Sequence, residues 1–133
     1  MTRIYCFSIT LMLIVLLQGC PKDDRQTETR SVSGNISISM PQPDDQISSP
    51  VKVIGKARVF EAALTVRVLS EDDKDLGKAN IMASKGAPEF GDFSTEVSFG
   101  KPAGMNRGFV EALSYSAKDG SRINVVRVPV RFK

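Results

Sequence analysis

The chain has 133 residues with a formal net charge of +3, and it contains no histidine and no tryptophan. Without histidine, Ser-His-Asp and Cys-His catalysis are excluded and the commonest zinc ligand is missing. The sequence therefore predicts a protein that is not an enzyme and that uses no metal and no cofactor. Acidic and basic residues are mixed along the chain, so it also predicts no clustered cationic face and no nucleic-acid partner.

The amino terminus has the pattern of an export signal. Arg3 precedes an apolar run over residues 7–17, and Leu17-Gln18-Gly19-Cys20 follows. A charged start, an apolar middle and a small residue at the cut are typical of secretory signals, and this run is too short for a mature spanning helix. Leu-x-Gly-Cys resembles the lipobox of bacterial lipoproteins, which implies cleavage between Gly19 and Cys20 and diacylation of the Cys20 sulfur. The alternative is ordinary secretion, with Cys20 unmodified.

Three regions follow from this pattern: a signal peptide over 1–19, a lipidated cysteine with a flexible tether over 20–34, and one domain over 35–133. The tether is too polar to bury a core, and as a flexible coil it reaches roughly 20 Å. Cys6 leaves with the signal and Cys20 carries lipid, so the domain has no disulfide. We expect the protein on a cell membrane or outer membrane, lipid-anchored and facing outside the cytoplasm.

After the tether, apolar residues alternate with polar ones, which is the period of a half-buried strand. Pro, Gly and Asp separate the alternating segments, and outside the signal no helical period persists. Seven regularly spaced segments predict an all-β antiparallel sandwich: 36–40, 51–60, 64–69, 78–84, 93–99, 109–116 and 122–132.

Four residues predict irregularities in these strands. Gly55 predicts a bulge or bend, because glycine weakens a regular strand. The apolar set shifts by one position near Val125, which predicts a bulge in the last strand. Pro129 cannot donate to a ladder and places part of that strand at an edge or bulge. Glu111 interrupts the apolar positions of the strand over 109–116.

Two motifs carry a resemblance to a known family. They are the Pro-Val-x-Val-x-Gly-x-Ala-x-Val-Phe-Glu run over 50–61 and the Lys-Asp-Gly-Ser turn over 118–121. Together they resemble the bacterial spore-germination immunoglobulin-like domain of the Gmad type, with similarity over residues 36–132. The resemblance implies an immunoglobulin-like β-sandwich of about seven strands, attached to lipoproteins and other surface proteins, and a link to sporulation or germination.

Glu61 is the first candidate binding residue, because a carboxylate stands there in an apolar stretch. It is either a polar anchor on a binding face or an outward residue paired with Arg58 or Arg67 on an adjacent strand. The loops over 85–91 and 100–108 supply two further candidates, Phe90 and Met105, since binding in sandwiches often resides in end loops.

The densest acidic run comprises Glu71, Asp72, Asp73 and Asp75. Several carboxylates could hold calcium, but Lys74 lies inside the run and the spacing lacks the Asp-x-Asp-x-Asp-Gly pattern. A solvated hairpin turn, in which aspartate bonds locally, is the favoured interpretation.

The sequence thus predicts a membrane-anchored bacterial lipoprotein whose immunoglobulin-like domain is a non-catalytic binding or scaffolding module at the cell envelope. The partners would be the membrane, through the lipid on Cys20, and an envelope protein or wall polymer. The first alternative is an inhibitor of an extracytoplasmic peptidase that acts through one loop. The second is an envelope enzyme or metal-dependent module.

Overall fold

A computed structural model describes residues 33–133, which form eight β-strands and one short 3-10 turn. The strands are β1 (Ile36–Met40), β2 (Gln46–Ile47), β3 (Val51–Ala57), β4 (Ala63–Ser70), β5 (Asp75–Met82), β6 (Gly91–Val97), β7 (Arg107–Tyr115) and β8 (Arg122–Phe132). The 3-10 turn, Phe60–Ala62, lies between β3 and β4.

The strands form two sheets. One has the order β1-β3-β6, and the other has the order β2-β8-β7-β4-β5. Every pairing is antiparallel except that of the two-residue β2 with β8, which is parallel. The predicted all-β, disulfide-free sandwich is confirmed, and β2 is the strand that the sequence did not indicate.

The core lies between the two sheets and is built from alternate strand residues. Aliphatic side chains, mostly valine, fill it from both sides, as expected of β-branched residues on a pleated surface. The innermost residues from the three-stranded sheet are Ile36, Ile38, Val53, Phe93 and Val97. Those from the five-stranded sheet are Val66, Val68, Val110, Ala112, Val126 and Val128.

Gly55 is required by close packing, and the bulge predicted beside it lies in the partner strand. The register of β1 against β3 shifts between Ile38 and Met40, opposite Gly55 and Ile54. A β-carbon at Gly55 would collide with the Ser37 carbonyl oxygen and lie 2.6 Å from Cζ of Phe93. Glycine therefore lets the Phe93 ring lie across the neighbouring strand, where it fills part of the core.

The bulge predicted near Val125 is confirmed. Ala112 of β7 pairs with Val126 of β8, and Ser114 pairs with Ile123. Two residue steps on β7 therefore lie opposite three on β8, so β8 contains one extra residue at this point. Asn124 adopts φ of 56° at this point, a left-handed conformation in which asparagine is favoured among non-glycine residues.

Pro129 lies on the partly open side of β8. The backbone N–H of Arg131 donates to the Asp45 carbonyl at 2.8 Å. The backbone nitrogen of Pro129, two positions earlier, points to the same edge of the strand. The Pro129 carbonyl accepts from the Asp44 N–H at 2.8 Å. The strand β2 pairs with β8 only at Arg131 and Phe132. No β2 carbonyl therefore lies opposite Pro129, and the absence of an N–H there breaks no hydrogen bond between strands. This agrees with the predicted edge position of Pro129.

Other boundaries differ from the sequence prediction. The strand predicted over 51–60 ends at Ala57, because Glu61 and Ala62 adopt positive φ values of 53° and 59° and turn the chain into β4. The strand predicted over 78–84 begins three residues earlier, at Asp75. Its first residues pair with the end of β4 and shorten the predicted polar turn to four residues.

The sandwich has two ends that matter for function. The near end holds Ser33, where the described chain begins, and the connections over 58–62, 83–90 and 116–121. The distal end holds the connections over 41–50, 71–74 and 98–106 and the carboxyl terminus. All strands run between these ends.

Replacing Gly55 by alanine should destabilise the domain by about 2–3 kcal/mol, because the added methyl group meets backbone on one side and the Phe93 ring on the other. Chemical denaturation measures this. Gly100→Ala is the matched control, since a β-carbon there meets nothing within 4 Å. Equal stabilities of the two variants would contradict the close packing at Gly55.

Candidate functional site

The outer face of the five-stranded sheet carries the main polar cluster of the described residues. Strand alternation places three side chains from each of three strands on this face, opposite the core. They are Thr65, Arg67 and Leu69 from β4, Phe109, Glu111 and Leu113 from β7, and Arg127, Pro129 and Arg131 from β8. Leu69 and Leu113 are fully buried although they lie outside the core cluster. Solvent therefore does not reach these two side chains of the outer face.

Glu111 lies at the centre of the outer face and is completely buried. Arg67 donates from Nε to its Oε1 at 2.6 Å, and the Nη2 atom of Arg67 forms an ion pair with the same oxygen, also at 2.6 Å. Arg127 donates from Nε to its Oε2, also at 2.6 Å. Pairing across the sheet produces this geometry, because Glu111 is directly opposite Arg67 on one side and Arg127 on the other. Both carboxylate oxygens are therefore satisfied by charged donors.

Three further charged groups surround Glu111, Arg67 and Arg127, which we call the triad. Arg122 Nη1 lies 3.8 Å from Glu111 Oε1, Asp73 Oδ1 accepts from Arg127 Nη1 at 2.7 Å, and Asp75 Oδ2 lies 3.9 Å from Arg67 Nη1. Burial alone would lower the pKa of the Arg127 guanidinium, but hydrogen bonds and charge from Glu111 and Asp73 outweigh it and raise that pKa. Arg127 therefore remains charged.

Arginine is concentrated on this face. Of the arginines in residues 33–133, all but Arg58 lie here: Arg67, Arg107, Arg122, Arg127 and Arg131. Lys78 lies opposite Arg67 on β5 and is exposed. We call these six residues the arginine face. The prediction that basic residues form no cluster is wrong, because strand pairing gathers residues that are far apart in sequence.

A groove of about 640 Å³ opens on the same sheet at the near end. Its lining includes Phe60, Glu61, Thr65, Asn80, Met82 and Tyr115. The Thr65 hydroxyl donates to Asn80 Oδ1 at 2.8 Å, which fixes two of these polar groups. Phe60, Met82 and Tyr115 come from three different elements and are all largely exposed. The groove therefore has an apolar rim that solvent reaches.

The structure brings together only part of the predicted binding set. Glu61 is exposed and lines the groove. Arg58 donates to Asn35 Oδ1 at 3.0 Å, and Arg67 donates to Glu111, so the pairing of Glu61 with either arginine is wrong. As a binding anchor Glu61 stays a prediction.

Phe90 and Met105 lie at opposite ends of the sandwich. The Phe90 ring is under the Arg58 guanidinium, with 4.8 Å between the ring centroid and Cζ. Met105 is half-buried in a distal connection. The two loops therefore cannot form one site together, and the binding roles of both residues stay predictions. Gly19 and Cys20, the predicted cleavage and lipidation residues, lie outside the described residues.

The acidic run forms the turn of the β4–β5 hairpin, which was its favoured interpretation. The Ser70 hydroxyl donates to Asp72, and this bond, with help from Lys74, lowers the pKa of the Asp72 carboxyl. Asp73 and Asp75 turn instead to arginines of the outer face. Within residues 33–133 no group of three acidic, histidine or cysteine side chains could hold a metal ion.

The model of one protein family matches residues 35–121, and its description is the immunoglobulin-like domain of bacterial spore germination, Gmad2. The chain belongs to the Gmad2 family. The match ends in the turn before β8, and β8 completes the five-stranded sheet by pairing with β7. A comparison with curated proteins finds no match. Among the described residues of this Gmad2 domain there is no helix with the length and apolarity to cross a membrane.

The Gmad2 domain has functional features that sequence reasoning missed. Glu111 was treated as an interruption, whereas it organises the outer face. A signal was present: in Val126-Arg127-Val128 and Val66-Arg67-Val68 the arginines alternate with core valines, which places them outward. That alternation gives the face of each arginine but not its neighbour on the next strand.

Replacing Glu111 by glutamine should destabilise the Gmad2 domain by about 3 kcal/mol, because it removes the buried carboxylate that Arg67 and Arg127 share. The two guanidinium groups then keep only the more exposed carboxylates of Asp75 and Asp73. Urea denaturation measures the change. Glu61→Gln, at an exposed position with no ion pair among the described residues, should leave stability within about 0.5 kcal/mol of the wild type. A Glu111→Gln variant as stable as Glu61→Gln would show that the triad does not hold the outer face.

Proposed function

We propose that this chain is a lipid-anchored protein of the bacterial envelope whose Gmad2 domain is a non-catalytic binding module. The partner is anionic, an envelope protein or a wall polymer, and it binds on the arginine face. The family is not a known class of enzymes, and the absence of histidine supports the same conclusion. The name of the family suggests spore germination as the process that the module serves.

The observation that carries this proposal is the collection of five arginines and Lys78 on one face of an open sheet. Among residues 33–133, three carboxylates, those of Glu111, Asp73 and Asp75, form ion pairs with these six cations, so the face has more positive groups than paired negative ones. The guanidinium group presents several donors in one plane and matches carboxylate and phosphate groups. A partner rich in either group fits this surface.

Glu111 supports binding by fixing two of the arginines. A flexible arginine loses side-chain entropy when it binds a ligand, and one held in place beforehand loses less. Arg67 and Arg127 are held by Glu111, while Arg107 and Lys78 are exposed at the margins. The centre of the face is therefore pre-organised, and the margins can adapt to the partner.

The lipobox-like Leu17-Gln18-Gly19-Cys20 supports the anchor. More than one acyl chain is needed for stable attachment, because a single chain binds membranes only marginally. A tether of this length holds the domain roughly 20 Å from the lipid. The partner then lies close to the membrane surface.

A Cys20→Ser variant should move from the membrane fraction to the soluble fraction, because the thiol that accepts the acyl chains is gone. Fractionation and intact-mass measurement of the exported protein test this. Cys6→Ser is the control, since Cys6 lies in the segment that is removed, and it should remain in the membrane fraction with the mass of two acyl chains on Cys20. An unacylated wild type would rule out the anchor.

In cell crosslinking, the double variant Lys78→Gln/Arg107→Gln should capture at most about a tenth of the amount of partner that the wild type captures. The reason is that it loses two charged contacts, each of which contributes roughly 1 kcal/mol to binding. Lys52→Gln/Lys56→Gln removes the same charge from the outer face of the other sheet and should leave capture unchanged. Mass spectrometry and phosphate analysis of the captured material separate an acidic protein from a wall polymer. Capture of a peptidase through a loop, unaffected by both variants, would favour the inhibitor alternative and contradict the proposal.

A further inference from the structure

The near end of the sandwich is unusually apolar. Five of the large apolar side chains that are exposed lie on its loops or at the strand residues beside them: Phe60, Met82, Phe90, Tyr115 and Ile123. Phe60 and Met82, which line the groove, are 64% and 71% exposed. Such a concentration of exposed apolar groups indicates an interaction surface.

The described chain begins at this same end. Ser33 Oγ donates to the Asn124 carbonyl at 3.3 Å, and Asn35 Nδ2 donates to Asn124 Oδ1 at 2.9 Å. Asn35 in turn accepts from Arg58, which covers Phe90. A continuous set of contacts therefore joins Ser33, the first described residue, to the apolar surface of the near end.

The length of the segment before Ser33 restricts which end can meet the membrane. Twelve residues separate Cys20 from Ser33, and a flexible coil of that length, as the sequence predicts, would span roughly 20 Å. The 11 residues of β8, which runs from the near end to the distal end, span about 36 Å at 3.3 Å per residue. A lipid on Cys20 would thus keep the near end close to the membrane, whereas the distal end would reach the membrane only with the segment almost fully extended.

Charge does not oppose docking at the near end. Its connections contain three acidic and three basic residues, and Arg122 adds a positive charge where β8 begins. The distal connections contain five acidic residues and two lysines, and Arg107, Arg131 and Lys133 lie beside them. The choice between the two ends therefore depends on the apolar side chains and on the length of the segment before Ser33, and not on net charge.

From these observations we propose that the near end docks on the lipid bilayer surface, with Phe60, Met82 and Tyr115 in the headgroup region. The proposal rests on the proposed lipid anchor. Aromatic rings with a polar tip, such as Tyr115, favour the membrane interface, where one end is apolar and the other hydrated. The groove between the three side chains then faces lipid, and the arginine face stands beside the membrane, where it is open to a partner.

The chain contains no tryptophan, so a single introduced tryptophan reports its own surroundings. The exported protein is purified as Phe60→Trp and as Met40→Trp, whose residue is exposed where β1 ends at the distal end. Each variant is placed on vesicles of phosphatidylethanolamine and phosphatidylglycerol that carry brominated acyl chains. Trp fluorescence at position 60 should fall by about half relative to unbrominated vesicles, because an interfacial ring lies next to the upper acyl chains. Fluorescence at position 40 should be unchanged.

Failure of this inference differs from failure of the anchor. A protein that carries its acyl chains and stays on the vesicles, but is not quenched at position 60, contradicts docking and leaves the proposed function intact. Equal quenching at both positions contradicts it as well, since it shows no preferred end. A blue shift at position 60 that depends on protein concentration and not on bromine identifies a second copy or a peptide as the occupant and overturns the proposal. If the mass shows no acylation, quenching at position 60 on added vesicles supports docking without an anchor, and its absence overturns docking.

Discussion

The packing of the three-stranded sheet against the five-stranded sheet is the interaction on which the rest of this structure depends. Residues 33–133 contain no cysteine, so no covalent link joins the layers and the apolar core must hold them together. Strict alternation supplies that core, with Val66, Val68, Val126 and Val128 inward on neighbouring strands. Gly55 leaves room for the Phe93 ring to pack against β3 within that core. Alternation also fixes what is left outward, and on β4 and β8 the intervening residues are arginines.

Glu111 resolves the problem that this outward arrangement creates. Several guanidinium groups on neighbouring strands repel one another, and a buried carboxylate without partners would be costly. Placed directly between Arg67 and Arg127, the carboxylate is satisfied and the repulsion is offset. Net stability from such a buried triad is small, because desolvation opposes the charge attraction. Its larger effect is on geometry, since it holds two arginines in fixed positions on a surface that has an excess of positive charge.

How much of this domain the sequence predicts depends on how far apart in sequence the interacting residues are. Period-two patterns are local, so they predict the strands, and a one-position shift in the apolar pattern predicts the bulge near Val125. Pairing between strands is not local: Arg67 and Glu111 are separated by 44 positions, and Arg127 and Glu111 by 16. The sequence shows that each residue faces outward but not which residues are neighbours. The groove was missed for the same reason, since Phe60, Met82 and Tyr115 come from three separate elements. Glu61, by contrast, was chosen from its local apolar setting, and it does line the groove.

The orientation proposed for the domain links its two surfaces. The strands run from the near end to the distal end, so a near end on lipid sets the strands upright and the arginine face beside them. Arg122 then lies nearest the membrane, and Arg107 and Arg131, which pair with each other, lie farthest from it. An anionic partner bound across the face would follow the strands away from the bilayer. The acidic hairpin with Asp72 lies at the far limit of this surface, where its charge disfavours further extension of an anionic partner. In the proposed orientation, a partner bound along the arginine face would therefore lie within about the length of β8, roughly 36 Å, of the bilayer.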